Sequence, residues 1–572
     1  MTYFKLERFS GIAPGVSPRL LADQFGQVSE NIDFESGRLV PTKANADAYT
    51  LQNTARRSIY YYRDTNWLEW SEDGVDVVPG PIANDTNERL YFTGDDYPRV
   101  GTVTSMISGS SGYPVNTYRL GVPAPSAAPG VSKSGSATAT ETPETRSYVF
   151  TIVTDLGEEG PPSAASATID VTSSETVTVA MPTNSNPSGN YLLSSAKKRI
   201  YRSNTGSNFT DFQFVAEVNL ATTSYADTIA SSALGEVLPS GTWIGPPDDD
   251  SSTYPDGPML GLTAVGNGVM AGFSGKRFCL SEPYLPHAWP INYRITLEED
   301  IVDIASTGNG VVALTNGTPY FITGTDPAAL TPIRVDLAQA CVNKKSVVDM
   351  GEYVLYAAPD GLVAVSGPSG EVVSRGLISV EQWNSSFHPT LIRAFRHEGT
   401  YVAFYNNSGT LGGWVYDPRS NESAFSTLTV AAEVRGGYED PKNGQLYVIV
   451  GNKIQTYRAT AGANNTLRFK TRKFLTPNPT SMAWVSVHAD AYPVVVKVYA
   501  DGTLIAHYTL SLSGSTYTQV TSTPSSISNA TLQEPIMRLP ATVGQEWEVE
   551  VSGATVINEI CLAQSMDEIR GQ

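Results

Sequence analysis

The sequence predicts an all-β protein, a β-propeller body joined to β-sandwich domains, and three observations carry that expectation. Short β-branched and aromatic runs alternate with NG, DG, GN and PDG turns along nearly the whole chain, in a composition of 49 Gly, 37 Pro and 29 Tyr. An apolar run, a turn glycine and a second apolar run recur five times over residues 260–457, at Gly275, Gly317, Gly361, Gly409 and Gly451, spaced 42, 44, 48 and 42 residues apart. A period of about 40–50 residues with hairpin signals is that of propeller blades. The segments on either side of these repeats alternate in period two, the pattern of half-buried strands.

At 572 residues the chain exceeds one hydrophobic core. Five regions follow from its composition: an N-terminal arm (1–50), the first sheet of the body (51–120), a sandwich insert (121–247), the blades (248–462) and a C-terminal β-sandwich (463–572). Helices are expected only over residues 17–27, where Pro18 suits a first turn, and near residues 379–384. In the second region SIYYYR, NWLEWS, VDVVPG and RLYFTG read as strands that supply another blade or close the ring. LGVPAPSAAPG then loses all apolar period and reads as a linker.

Beyond it, RSYVFTIVT, ATIDVT, TVTVAM, KKRIYRSN, FQFVAEV and TSYADT give about seven short strands in about 100 residues, the spacing of two packed sheets. This segment resembles a fibronectin type III-like sandwich, with Val149, Ile152, Val177, Val179, Ile200, Tyr201, Phe214 and Val218 on the inner faces. GPPDDDSSTYPDGP is a second linker. After residue 463, RFKTRKFL, MAWVSVHADA, VVVKVYADGTLIAHYTL and EWEVEVSG build the last sandwich.

Charge and motifs narrow the function. Lys+Arg 38 against Asp+Glu 57 gives 38 − 57 = −19, a balance that does not hold nucleic-acid phosphates. Cys279, Cys341 and Cys561 lie far apart and read as buried thiols, and the five histidines show no metal-ligand spacing. GxSxG and GxxxxGK are absent. GNGVMA and GNGVVA satisfy GxGxxA, but each runs into a strand and not into a helix, so they read as blade turns. Neither catalysis, metal nor cofactor is expected. Trp67, Trp70, Trp289 and Trp414 are the places for a sugar-binding face, against a core reading for large aromatics in strands.

The opening FSGIAPGVSPRLLADQFGQVSENIDFESGRLVPTK places Gly11, Ile12 and Pro14 ahead of Gln27 and Asn31, and then Gly37, Arg38, Leu39 and Pro41. This series resembles the start of tail nozzle and tail tubular proteins of short-tailed bacteriophages (podophages). The resemblance implies a structural virion protein, six copies forming a ring that conducts DNA during ejection without specific binding. It implies assembly in the host cytoplasm, no membrane insertion, and contacts with tail adaptor or portal-side ring proteins and with tail fibres or spikes. Gly11, Pro14, Gln27, Asn31, Arg38 and Pro41 are then assembly residues, and Glu298, Glu299, Asp300 and Asp303 candidates to line the channel. Read as residues alone, the same arm positions make a turn and cap for the first strand. The alternative function is a receptor- or glycan-binding propeller, a phage adhesin or secreted module, followed by a glycoside-degrading enzyme.

Overall fold

All five repeat glycines fall at one place in the fold, where the second strand of a four-stranded antiparallel meander turns into the third. The structure, a computed structural model, describes residues 3–109, 112–183, 190–205, 210–324, 326–419, 424–523 and 526–570. Its described residues are almost wholly strands and turns. The chain divides into two units, residues 62–335 and residues 1–61 with 336–572, so the boundary lies within the run of blades.

The unit of residues 62–335 contains three blades. The first is Asp76–Pro79, Leu90–Thr93, Arg99–Gly101 and Tyr118–Arg119. Gly94, at φ +93°, stands just after its second strand, the position of the five repeat glycines. The second blade is Leu260–Ala264, Met270–Ser274, Arg277–Leu280 and Ile295–Thr296. The third is Ile301–Thr307, Gly310–Thr315, Tyr320–Thr323 and Thr331–Arg334. Their first strands are neighbours, with the Gly261 N–H donating to Asp76 (3.2 Å) and the Leu262 N–H to Thr93 (3.1 Å). Trp289, Tyr91, Met259 and Cys279 fill the space between the first two blades.

Between the first and second blades the chain builds the sandwich. One sheet is Gly130–Ser134, Thr176–Ala180 and Ser224–Asp227, and the other is Tyr148–Val153, Lys197–Thr205 and Thr210–Asn219. Its core is Tyr148, Phe150, Val171, Val177, Val179, Met181, Ile200 and Val215. The expected inner-face set mixed two faces. Tyr148–Val153 is buried on both sides; Val149 lies opposite Tyr201, whose ring meets Phe214 beyond a bulge at Ile200/Tyr201 in the pairing with Thr210–Asn219. The region read as a linker lacks regular structure over residues 120–129, yet Val122 packs beside Gly160 of the sandwich.

The other unit holds the fourth blade (Val348–Asp349, Val354–Ala358, Gly361–Ser366, Ser369–Val372) and the fifth (Arg393–His397, Thr400–Asn407, Thr410–Asp417, Ala424–Leu428). The sixth has three strands from one stretch, Val434–Asp440, Gln445–Val450 and Lys453–Thr456, and takes its fourth, Ala46–Thr50, from the N-terminal region. The C-terminal sandwich shares a long sheet with the fifth blade. Ser10–Ile12 and Phe25–Glu30 lie between Ala424–Leu428 of that blade and Leu467–Thr471 of the sandwich. Tyr3–Leu6 pairs with Ile557–Ala563.

The arm is therefore a set of strands inside the body of its own unit. Leu6, Phe9, Ile32, Phe34 and Leu39 join Phe469, Val496, Trp547, Val551 and Ile560 in one core, each such side chain contributing on the order of 2 kcal/mol by burial. The helix expected at residues 17–27 is absent. Leu20 is exposed and only Leu21 of that turn is buried, leaving no apolar stripe, and the sheet takes residues 25–30 as a strand. Near residue 379 the expected helix is present as Val380–Gln382, capped by Ser379, running into Trp383–Phe387.

Gly11 has to be glycine because a Cβ there would enter the backbone of Phe425. Gly11→Ala is expected to lower the stability of this unit by about 3 kcal/mol, since backbone cannot yield as a flexible side chain can; urea unfolding followed by tryptophan fluorescence measures it.

Candidate functional site

The residues singled out in the arm meet at one junction in the unit of residues 1–61 and 336–572. Ile32–Asp33 and Val40–Pro41 form a two-stranded ladder, Pro41 opposite Ile32, and Gly37 makes its turn at φ +72°. Asn31, just before the ladder, is in the left-handed region at φ +57° and is 6% exposed. Its Nδ2 donates to Thr429 Oγ1 (3.0 Å) and the Thr466 carbonyl (3.1 Å), and its Oδ1 accepts from the Thr429 N–H (3.0 Å). One carboxamide thus joins the end of the fifth blade to the start of the C-terminal sandwich. Asn suits the site twice, tolerating positive φ and supplying both donor and acceptor.

Gln27 and Arg38 reach the C-terminal sandwich, and Pro14 reaches the helix before the fifth blade. Gln27 Nε2 donates to the Thr471 carbonyl (2.8 Å), and the Pro14 carbonyl accepts from Gln382 Nε2 (2.9 Å). Arg38, half exposed, donates to Asn558 Oδ1 (3.2 Å). All six arm residues are seated against strands or loops of their own chain.

Sequence reasoning missed the charged centre of the junction. Asp33 Oδ2 accepts from Arg458 Nη1 (3.0 Å), and its Oδ1 faces Arg419 Nη2 (3.5 Å). Arg419 also forks onto Asp417 (2.9 and 2.7 Å) and reaches Glu35 (3.2 Å). Arg419 follows the third strand of the fifth blade and Arg458 the last contiguous strand of the sixth, so Asp33 ties both blades to the ladder. The Arg458 side chain is 8% exposed, with its cation 5.4 Å from the Tyr457 ring centre. Both arginines are held above the ordinary guanidinium range, Arg419 through its hydrogen bond to Asp417, and Arg458, against the desolvation of its cation, through the nearby Asp33 carboxylate. No motif announces these residues, because their partners lie about 400 positions away.

Beside the junction lies a cavity of about 400 Å³. Lys43, Asn45, Phe404, Val430, Tyr457 and Arg458 are among its lining residues, which include no carboxylate. A second cavity of about 400 Å³ borders Pro14, Gln382, Tyr405 and Trp414.

The structure separates the acidic candidates of the other unit. Glu298, Glu299 and Asp300 occupy the loop from the second blade to the third. There Arg334 lies 3.3 Å from Glu298 and 3.7 Å from Glu299, and the Tyr320 hydroxyl donates to Glu299 (3.1 Å). Asp303 stands instead on the first strand of the third blade, beside a register shift. Asp249, in the segment read as the second linker, is gripped by both terminal nitrogens of Arg119 (2.7 and 3.0 Å). Trp67, Trp70, Trp289 and Trp414 are all buried, which removes them as a sugar-binding face.

In the same unit a carboxylate anchors the outer face of the sandwich. Glu159, 4% exposed, accepts from Thr151 (2.7 Å), Tyr201 (2.7 Å) and Arg199 (2.8 Å). Its carbonyl meets His287 Nε2 at 3.1 Å, and Glu158 accepts from Arg89 (2.8 Å). The sandwich is thereby fixed to the first two blades by buried polar contacts. Among the described residues no group of His, Cys, Asp and Glu is placed to hold a metal, and no helix is long and apolar enough to cross a membrane.

No family model and no curated protein matches the chain. Solved structures do. The extracellular domain of a hybrid two-component system from B. thetaiotaomicron is 7% identical, with 86% of this chain and 47% of that chain covered and a TM-score of 0.22. YCF48 from Cyanidioschyzon merolae is 9% identical over 52% of this chain and 94% of its own, at 0.25. PorZ, a surface component of the type-IX secretion system of Porphyromonas gingivalis, is 11% identical over 62% and 44%, at 0.24. This chain spans about half the length of the first of these.

Two predictions follow from the buried polar groups. Asp33→Asn leaves Arg458 buried without a countercharge and is expected to cost about 3 kcal/mol, read as a lower urea midpoint with unchanged slope. His397, 4% exposed and edge-on to Tyr457, is lowered to about 4 from the ordinary 6.5, first by burial and then by the Arg458 charge. The unfolded chain takes up the proton first as pH falls, so this contribution is complete above pH 6.5 and is lost towards pH 4, roughly 3 kcal/mol in all. The Asp33 charge acts in the opposite direction without cancelling the burial effect. Thermal unfolding at stepped pH should show a smaller drop for His397→Phe than for the wild type.

Proposed function

We propose that this chain is a structural subunit of the tail nozzle or tail tube of a short-tailed phage, assembled in several copies as a closed ring around the path of the DNA. The observation that carries the reading is the gathering of the resemblance residues. Gly11, Gln27, Asn31 and Pro41 lie apart in the opening sequence, yet each supports the same joint between fifth blade, ladder and C-terminal sandwich, while Pro14 holds the helix before the fifth blade. In this reading the motif is common to such proteins because it builds the joint, and assembly uses the surfaces that the joint holds rigid. Asp303, with Glu298, Glu299 and Asp300 of the loop before it, supplies the candidate carboxylates of a DNA-repelling wall. A ring of copies uses two different faces of each chain, a head-to-tail contact closed by rotation.

A second reading, a receptor- or glycan-binding propeller, draws on the cavity beside the junction, whose lining brings Lys43, Arg458 and Tyr457 together without a carboxylate. A cavity of that size suits a sugar unit or a small acid.

Symmetry-resolved electron cryomicroscopy of particles from the source distinguishes the two. The proposal expects this chain in a ring about the tail axis. Density only in peripheral fibres, or in no particle, would sink it and send the chain to glycan-array screening.

A further inference from the structure

Among the described residues, the long sheet ends in a strand that carries neither charge nor proline. From Tyr508 to Gln533 the sequence contains no Lys, Arg, Asp or Glu, in a chain with 17% charged residues. This stretch folds as Thr503–Ser513, Thr516–Thr523 and Ser526–Leu532 in antiparallel succession, and Ser526–Leu532 is the last strand of the long sheet. Asn529, Ala530 and Thr531 are exposed.

A free edge offers a row of N–H and C=O groups to any strand that reaches it, and natural sheets blunt such edges with charge, proline or bulges. The other long edges of this molecule do so. Among described strands of seven or more residues at the end of a sheet path, Thr210–Asn219 has Asp211 and Glu217, and Ile301–Thr307 has Asp303. Val434–Asp440 has Arg435, Glu439 and Asp440, and Phe474–Thr480, a side branch, has Pro477 and Pro479. The short Tyr148–Val153 is uncharged, but its edge is taken by the N–H groups of Gly160, Ser163 and Ser166. Ser526–Leu532 has neither charge nor proline.

We infer that Ser526–Leu532 is an interaction edge, and that its occupant is a strand of a second copy of this chain. Charge selects that occupant. Two chains of net charge −19 repel over most of their surfaces, and a stretch without ionised groups is where they approach at least cost. A basic partner would instead be drawn to the carboxylate-rich remainder of the surface. Paired edges would satisfy the main-chain groups of both copies and continue the sheet across a two-fold contact, one separate from the head-to-tail contacts of a ring. The inference rests on the reading that copies associate, but it does not need the assembly to be a phage tail.

The test is self-association of the full chain in solution, so it stands apart from where the chain is found in a particle. Light-scattering molar mass across a concentration series is compared for the wild type, Asn529→Thr and the double variant Asn529→Lys/Thr531→Lys. The wild type and Asn529→Thr are expected to exceed the mass of one chain. The double variant, charged at two exposed positions, should associate at least about tenfold more weakly while its circular dichroism and thermal transition stay unchanged. If that variant loses its transition, Thr531→Lys alone is read in its place. Equal association of wild type and lysine variant, or a wild type that stays a single chain throughout, would overturn the inference. The former outcome leaves the ring reading standing on another surface.

Discussion

The structure depends on strands that pair across almost the whole length of the chain. Tyr3–Leu6 is hydrogen-bonded to Ile557–Ala563, and Phe25–Glu30 to Leu467–Thr471, so strands several hundred residues apart complete one another. Ala46–Thr50 likewise waits for Lys453–Thr456. Such pairings close long loops before any contact rewards them, which makes folding slow and leaves open edges in the meantime. Residues 62–335 form a compact unit of their own, so contacts made within it shorten the loop left to close. Nothing in the arm can be treated as a detachable tether: removing it would expose the core around Phe469 and Trp547.

The same constraint explains where charge is buried. A junction among a ladder, two blades and a sandwich cannot be filled by apolar contacts alone, since turns bring unpaired backbone groups into it. Asn31 answers those groups with a carboxamide, and Asp33 answers two arginines, one from each blade. A buried ion pair is weak evidence for net stability, but it is intolerant of misplacement, because losing one partner strands the other. Asp227 acts similarly inside the sandwich, where Tyr148 and the fully buried Arg202 both lie 2.7 Å from its Oδ2. In each case the pair selects one arrangement from several that hydrophobic burial would accept.

What the sequence made legible was local. The turn glycines marked the blades because a hairpin between second and third strands needs a tight turn in every repeat, and Gly94 shows that the early sheet obeys the same rule. The missed features are those set by distant partners. Ala46–Thr50 has too few apolar residues to read as a blade strand, and only its pairing makes it one. Phe25–Glu30 was obscured by a helix expectation that rested on Pro18 and had no apolar stripe to sustain it. Val149 was grouped with Ile152 although the two point to opposite faces of a strand buried on both sides, and Phe214 was grouped with Val218 although the bulge at Ile200/Tyr201 breaks the period between them. Asp33, Arg419 and Arg458 gave no signal at all, being ordinary turn and strand-end residues until folding joins them.

An acidic chain that assembles with itself is not a contradiction, provided its charge is distributed unevenly. At physiological salt, repulsion between exposed charges fades beyond about 8 Å, so what opposes contact is the charge at the contact and not the total of −19. The uncharged run from Tyr508 to Gln533 concentrates the approachable surface at one edge, while carboxylates elsewhere keep other edges apart. The same arrangement restricts the ways in which two copies can meet, since a misplaced neighbour would bring its acidic strands against like charge. Repulsion over most of the surface then does for assembly what the buried ion pairs do for folding: it removes alternatives, leaving the short-range main-chain hydrogen bonds to supply the attraction.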